Sequence, residues 1–142
     1  MCINFFYEDT PFQLKQTQQV SNWIKKVISL EAQILEELNY IFCSDNYLHE
    51  INKTYLGHDT YTDIITFDYK EKNGAPIEGE VCISVDRVQE NATTYQKTFE
   101  EELHRVIIHG VLHLLGYRDK TPQEQKEMRK KEEACLSLQN IS

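Results

Sequence analysis

The sequence lacks the features that mark membrane, secreted and disulfide-rich proteins. It contains no apolar run of about 18 residues, the length that a membrane-spanning helix requires. Its first residues have neither the basic start nor the long apolar stretch of a signal peptide. The four cysteines are scattered without a CxxC pair, which argues against a thiolate zinc site and predicts reduced thiols. We therefore expect a cytoplasmic protein.

An excess of positive charge is also absent. The chain has 15 Lys and Arg residues against 23 Asp and Glu residues, a formal net charge of −8. This balance argues against a broad nucleic-acid-coating surface, because phosphate binding relies on clustered basic side chains, but it leaves room for a local basic cleft. Much of the negative charge falls in residues 100–102 and in the carboxy-terminal helix, where we expect a solvated face.

What is present is typical of one globular domain. The 142 residues, 40% hydrophobic and 27% charged, suffice to bury a core. No internal repeat or low-complexity linker divides the chain. We expect residues 1–142 to form a single domain.

Local sequence patterns predict both strands and helices. Short runs rich in β-branched and aromatic residues indicate strands, while helically spaced apolar residues and capping boxes indicate helices. The last two strands, joined by a turn-forming segment, are expected to pair antiparallel. Ser44 and Asp45 are alternative caps of the second helix, which Gly57 ends. The predicted strands are 2–7, 34–43, 62–69 and 80–85, and the predicted helices are 16–30, 44 or 45 to 56, 86–95, 98–115 and 121–138.

The most informative feature is the segment His109-Gly-Val-Leu-His113-Leu-Leu-Gly116-Tyr-Arg-Asp119. Positions i and i+4 of a helix differ by about 40° around the axis and about 6 Å along it, so both imidazoles lie on one face. Gly116 can adopt the left-handed conformation that ends a helix, which would bring Asp119 round as a third ligand. Two nitrogens, one oxygen and a fourth position for water are typical of catalytic zinc. The alternative is two ordinary, partly buried histidines.

The surroundings of these histidines favour the metal site. Apolar residues occur on nearly every side of their helix, which predicts a central, buried helix. Two buried imidazoles on one face, with no obvious acidic partner nearby, are well satisfied by a metal. His104 lies about 140° away around the axis, so we interpret it as structural. His49 and His58 are interpreted as surface or hydrogen-bonded histidines.

The residue after the first histidine argues against a peptidase. Zinc peptidases of the HExxH type carry their glutamate general base at this position, which is Gly110 here. Glycine cannot move a proton. A metallopeptidase is therefore disfavoured.

Several stretches of the chain are similar to the motifs of one family. HGVLHLLGYRD at 109–119 is similar to HGxLHLxGYDH, and GEVCIS at 79–84 to Gly-Asp-Ile-x-Ile-Ser. NKTYL at 52–56 and DTYTDIITF at 59–67 are similar to Asn-x-x-Tyr-Arg followed by Asp-x-Pro-Thr-Asp-Val-Leu-Ser-Phe. These motifs, in this order, are those of the YbeY family of bacterial zinc-dependent endoribonucleases involved in ribosomal RNA maturation, which the chain resembles from its first strand to its last helix.

Three positions depart from the family pattern. Asp119 stands where the family has His, and since carboxylate is a legitimate zinc ligand, binding should survive in a more negative site. Leu56 replaces an arginine that is expected to hold RNA phosphate or stabilise transition-state charge, which leucine cannot do. Arg118 replaces Asp and either restores positive charge near the metal or faces solvent.

The resemblance implies an α+β fold with a small mixed β-sheet packed by helices around a central buried metal-binding helix. It implies cleavage of single-stranded RNA in 3′-end maturation of small-subunit ribosomal RNA and in ribosome biogenesis and quality control. The implied partners are RNA and the ribosomal small subunit or its proteins, with no membrane. His109, His113 and Asp119 would hold one Zn2+. The attacking group would then be either zinc-bound water or the 2′-hydroxyl of the RNA itself. Supporting roles, or ordinary turn and surface roles, fall to Asp59, Thr62, Asp63 and Arg118.

Two alternative functions stay open. One is a non-catalytic zinc-binding ribosome-assembly factor, which the loss of the arginine at Leu56 and the net acidity favour. The other, less favoured, is the metallopeptidase.

Overall fold

A computed structural model describes residues 2–139. Within that range no helix has the length and apolar character needed to cross a membrane. The strands are β1 (Cys2–Glu8), β2 (Leu35–Cys43), β3 (Ile64–Asp68) and β4 (Ile77–Ser84), and the helices are α1 (Thr17–Leu30), α2 (Asp45–Leu56), α3 (Val85–Thr94), α4 (Phe99–Leu114) and α5 (Pro122–Leu136).

The strands form a mixed sheet in the order β1-β2-β4-β3. β2 pairs parallel with β1 and β4, whereas β3 at the edge pairs antiparallel with β4, from Ile64 opposite Ile83 to Asp68 opposite Gly79. The predicted α+β class, mixed sheet and antiparallel pair are confirmed. β4 begins at Ile77 rather than at 80, because pairing with β2 and β3 extends it back through Gly79.

Alternation along β2 separates two hydrophobic layers. Leu38, Tyr40 and Phe42 belong to the main core, to which α1, α4 and α5 contribute, while Ile41 and Cys43 belong to a smaller cluster with α2. Buried side chains cover most of α4, so the prediction of a central buried helix is confirmed. All four cysteines are free thiols, as predicted.

Capping explains where several helices begin and end. The predicted capping boxes at Thr98 and Thr121 are both present. Ser44, rather than Asp45, caps α2 through its hydroxyl, and Gly57 ends the helix in a left-handed conformation. The last helix ends short of the predicted 138.

Two glutamates contradict the expected solvated acidic face. Glu102 in α4 is 2% exposed and Glu132 in α5 is 4% exposed. Arg105 donates to the carboxylates of both residues. Its hydrogen bonds to Glu102 are 2.7 and 2.9 Å long, and its hydrogen bond to Glu132 is 3.2 Å long. Hydrogen bonding to Glu102 is the main reason that the pKa of Arg105 is raised. The prediction was wrong for these two residues because a half-buried arginine compensates their charge.

Candidate metal centre

The end of α4 positions the first two predicted ligands. His109 and His113 lie one turn apart, with ring centroids separated by 4.6 Å. Gly116 has φ of +109°, and the backbone N–H groups of Gly116 and Tyr117 donate to carbonyls of the last turn, each at 3.0 Å. This pair of bonds is a Schellman motif. The turn returns the chain toward the histidines, so that Asp119 comes within reach of them.

Three ligand atoms converge at this point. His109 Nε2 lies 3.0 Å from His113 Nε2, and Asp119 Oδ2 lies 3.3 Å from the first and 3.4 Å from the second. Around a tetrahedral zinc with bonds of about 2.0–2.1 Å, ligand atoms are about 3.3 Å apart. The observed triangle fits such an ion. Across residues 2–139 it is the one group of three His, Cys, Asp or Glu side chains close enough to hold a metal.

The two histidines face one another through their Nε2 atoms, while each ring forms a further hydrogen bond to a neighbouring group. His109 Nδ1 donates a hydrogen bond to Glu132 Oε2 at 2.5 Å, and the His113 ring is hydrogen-bonded to the backbone of Tyr117. Burial, followed by the neighbouring His109, lowers the pKa of His113, which favours the neutral ring. Two nitrogen lone pairs 3.0 Å apart repel unless a cation or a shared proton lies between them. The donor set therefore fits a metal ion.

The turn that carries Asp119 is held from two sides. Tyr117 donates from its hydroxyl to Glu31 at 2.6 Å, and Lys131 lies 2.9 Å from the other oxygen of Glu31 and above the Tyr117 ring. On the other side, Lys70 Nζ donates to the last carbonyl of α4 at 3.2 Å. A cation is favourable at this negative end of a helix. These contacts fix the end of α4 relative to the turn.

Gly110 packs directly against the sheet. A Cβ at this position would lie 2.7 Å from Val81 Cγ1 and 3.3 Å from Ile64 Cδ1. Any side chain here would thus be directed at β4 and β3 rather than toward the ligands. Packing alone therefore excludes the glutamate general base of HExxH peptidases from this position.

The ligands border a cleft of about 600 Å³ formed by α4, β3 and the end of α2. Of the predicted supporting residues, Thr62 and Asp63 line this cleft. Asp59 lies outside the lining and pairs with His49 at 2.8 Å. Arg118 is exposed and also lies outside the lining.

The cleft is acidic. Among the described residues its lining includes the carboxylates of Asp63, Asp68 and Asp119 and contains no Lys or Arg. Leu56, at the position of the family arginine, is 45% exposed and forms part of the wall. The local basic cleft that the sequence left open is therefore absent from the described lining.

The other three histidines lie outside the ligand triangle. His104 Nδ1 accepts a hydrogen bond from Gln139 Nε2 at 2.9 Å, and burial lowers the pKa of His104. His49 pairs with Asp59 and stacks on Tyr61, while His58 is exposed at the cleft. Each position agrees with a structural or surface role.

Glu132, the acidic partner of His109, was not predicted from the sequence. No acidic residue was expected near the two histidines, yet Glu132 approaches His109 from α5. Met128, Glu132 and Cys135 recur at helical spacing and are all buried in the structure. A glutamate within an apolar stripe was the signal that could have identified a buried partner.

Comparisons with known proteins agree with the family resemblance seen in the sequence. The family model described as Endoribonuclease YbeY matches residues 5–140. The Endoribonuclease YbeY of Cytophaga hutchinsonii is 52% identical, covering 98% of this chain and 96% of that protein, and that of Amoebophilus asiaticus is 57% identical, covering 98% and 94%. The solution structure of TM1509 from Thermotoga maritima is similar with a TM-score of 0.68 and 28% identity, covering 96% of this chain and 87% of that one.

Proposed function

The chain belongs to the Endoribonuclease YbeY family, and on this premise we propose a zinc-dependent endoribonuclease that cuts single-stranded RNA in 3′-end maturation of small-subunit ribosomal RNA. Family membership makes the chain an enzyme, a hydrolase of RNA. The proposal includes roles in ribosome biogenesis and quality control, with the ribosomal small subunit or its proteins as partners. It places the protein in the cytoplasm, away from membranes, and takes residues 1–142 as a single domain. The family match over 5–140 supports the last point.

The convergence of His109, His113 and Asp119 beside a cleft carries the proposal. These residues would hold one zinc ion, which when bound activates water and polarises a phosphoryl oxygen. Three protein ligands leave a further coordination position open, as in catalytic rather than structural zinc sites. The chemistry of the donor set thus agrees with hydrolysis.

The surrounding residues supply orientation rather than positive charge. Thr62 and Asp63 lie where they can hydrogen-bond to a substrate or water in the cleft. Leu56 can contact RNA but cannot neutralise a phosphate. Asp68 is already paired with Lys70, whereas the carboxylates of Asp63 and Asp119 have no lysine or arginine partner in the lining and repel phosphate until a cation offsets their charge. We therefore expect RNA binding to depend on metal loading.

The test compares wild type with Asp119→Ala and with Glu127→Ala, a control on the exposed side of α5. Zinc content is measured by elemental analysis, and cleavage is measured on single-stranded and duplex RNA before and after chelation. We expect about one zinc per chain and cleavage of single strands in wild type and in the control. Asp119→Ala and the chelated protein should lose both properties, and zinc should restore the chelated sample only. Undiminished cleavage in Asp119→Ala and after chelation would contradict the proposal.

The same samples distinguish the alternative functions. Zinc binding without RNA cleavage would favour the assembly factor, an alternative that Leu56 and the acidic cleft support. Cleavage of peptides instead of RNA would favour the metallopeptidase. The contact between Gly110 and Val81 argues against that outcome, since it leaves no room for the peptidase base.

A further inference from the structure

We propose that Glu132 is a positioning residue of the metal site, oriented in turn by Arg105 and Glu102. This inference rests on the proposed function, because it assumes that His109 is a metal ligand. The group links helices α4 and α5 next to His109, and none of its three members lines the cleft. Its members therefore act through His109 rather than on the substrate.

The contact between Glu132 and His109 determines which ring nitrogen carries the proton. Glu132 Oε2 lies 2.5 Å from His109 Nδ1, and the Glu132 side chain is 5% exposed. A carboxylate can only accept, so Nδ1 is the donor, and in the neutral ring that a metal requires Nε2 keeps its lone pair. Nε2 is the atom that lies 3.0 Å from His113 Nε2 and 3.3 Å from Asp119. Glu132 thus selects the tautomer that the ligand triangle needs.

Arg105 fixes the carboxylate of Glu132 in that orientation. Its Nη1 donates to Glu132 Oε1 at 3.2 Å, while its Nε and Nη2 form a fork on Glu102 at 2.9 and 2.7 Å. Oε1 of Glu132 therefore accepts from Arg105 alone, while Oε2 accepts from His109 at 2.5 Å and also from Arg105 Nη1 at the longer distance of 3.4 Å. Glu102, which is almost fully buried, holds the guanidinium in place.

An amide cannot replace this carboxylate. Glutamine offers one acceptor oxygen, whereas His109 and Arg105 both present N–H donors to Glu132. In Glu132→Gln, one donor must face the amide NH2. If the oxygen stays with the charged Arg105, the NH2 group faces His109 and moves its ring proton to Nε2, into the ligand triangle. Loss of such outer partners typically weakens metal affinity by about 10–100-fold.

The experiment measures zinc Kd by competition with a fluorescent chelator for wild type, Glu132→Gln, Arg105→Lys and Glu133→Gln. Glu133 is the exposed neighbour of Glu132 and serves as the matched control. The histidine tautomers of the metal-free proteins are read from 15N NMR shifts, and thermal unfolding of these proteins reports stability separately. We expect Glu132→Gln to bind zinc about 10–100-fold more weakly than Glu133→Gln, and Arg105→Lys to weaken binding by a smaller factor. A purely structural ion pair would change thermal stability alone.

The outcomes separate this inference from the proposed function. If folded Glu132→Gln binds zinc as tightly as Glu133→Gln, the positioning role is overturned. If Glu132→Gln does not fold, the wild-type spectrum decides, because an Nε2–H tautomer of His109 overturns the inference and an Nδ1–H tautomer supports it. If wild type binds no zinc, the proposed function fails and the positioning role fails with it. Zinc binding without RNA cleavage would contradict the proposed endoribonuclease activity. The positioning role of Glu132 would then still be decided by the zinc Kd of Glu132→Gln relative to Glu133→Gln.

Discussion

Replacing Gly110 by alanine should destabilise the protein, although the same change usually stabilises a helix. Gly110 lies inside α4, where alanine is favoured by up to about 1 kcal/mol. Its added Cβ would, however, lie 2.7 and 3.1 Å from the two methyl groups of Val81. Val81 is fully buried in β4 between two paired strands, and its branched side chain is stiff. The contact can therefore be relieved only by moving the helix or the sheet.

The net effect follows from two opposing contributions. Overpacking of a core costs about 1–3 kcal/mol, and the stiffness of Val81 places this site in the upper half of that range. After subtracting the gain in helix propensity, we expect Gly110→Ala to lower the free energy of unfolding by about 1–2 kcal/mol. For a chain of this length, that corresponds to a decrease in Tm of about 3–7 °C. The same displacement of α4 would disturb the neighbouring His109 and weaken zinc binding.

Urea denaturation of metal-free protein provides the assay, with two controls. Comparison of Lys130→Ala with Lys130→Gly, at an exposed position within α5, measures the alanine preference without steric contact. In a Val81→Ala background the clash is removed, so Gly110→Ala should cost less than in wild type. A Gly110→Ala variant that is more stable than wild type, by the margin found at Lys130, would refute the packing argument.

Three further predictions concern charge, thiols and pH. Leu56→Arg should tighten binding of single-stranded RNA and make the slope of log K against log salt steeper by about 0.7, as measured by fluorescence anisotropy. Leu30→Arg, at an exposed position on α1, is the control. Equal slopes in the two variants would contradict the prediction. Burial raises the pKa of the Cys43 thiol to about 12, and only Cys2 is exposed, so a thiol reagent at pH 8 should label one cysteine in the folded protein and all of them after unfolding. Burial lowers the pKa of His104 in the folded protein, which favours its neutral form. The stability that this neutral form supports is present above the ordinary histidine pKa of about 6.5, and it is lost as the pH falls through the lower pKa of the folded state. Wild type should then lose more unfolding free energy than His104→Gln between pH 7.5 and 5 in urea titrations, and equal losses would disprove this.

Local features of the structure could be predicted from sequence because they depend on neighbouring residues. The capping boxes at Thr98 and Thr121 fix helix starts through side chains only three positions apart. His109, His113 and Asp119 converge through helical spacing and one glycine turn, both of which are visible in the sequence. This is why the approach of these three side chains could be predicted before any tertiary contact was known.

Non-local features could not be predicted in this way. The parallel pairing of β1, β2 and β4 joins segments far apart in the chain, and nothing within β4 reveals that it has partners on both sides. Glutamates usually lie on protein surfaces, and the burial of Glu102 and Glu132 is favourable only because both contact Arg105. The steric role of Gly110 likewise depends on Val81, from another element. The sequence showed that Gly110 stands where a peptidase has its general base, but it did not show that Gly110 packs against Val81.

The short span between His109 and Asp119 has a consequence for the order of folding. Gathering these ligands requires one helical segment and one tight turn, so the loop-closure entropy is small compared with that of the distant strands. The parallel pairing of β1, β2 and β4 must bring remote segments together and is expected to form slowly. In the metal-bound protein proposed above, an ion held by these residues would keep the end of α4 in shape while the sheet is still incomplete. Glu132 would join only when α5 docks, which makes the ligand set an early nucleus and its buried support a late addition.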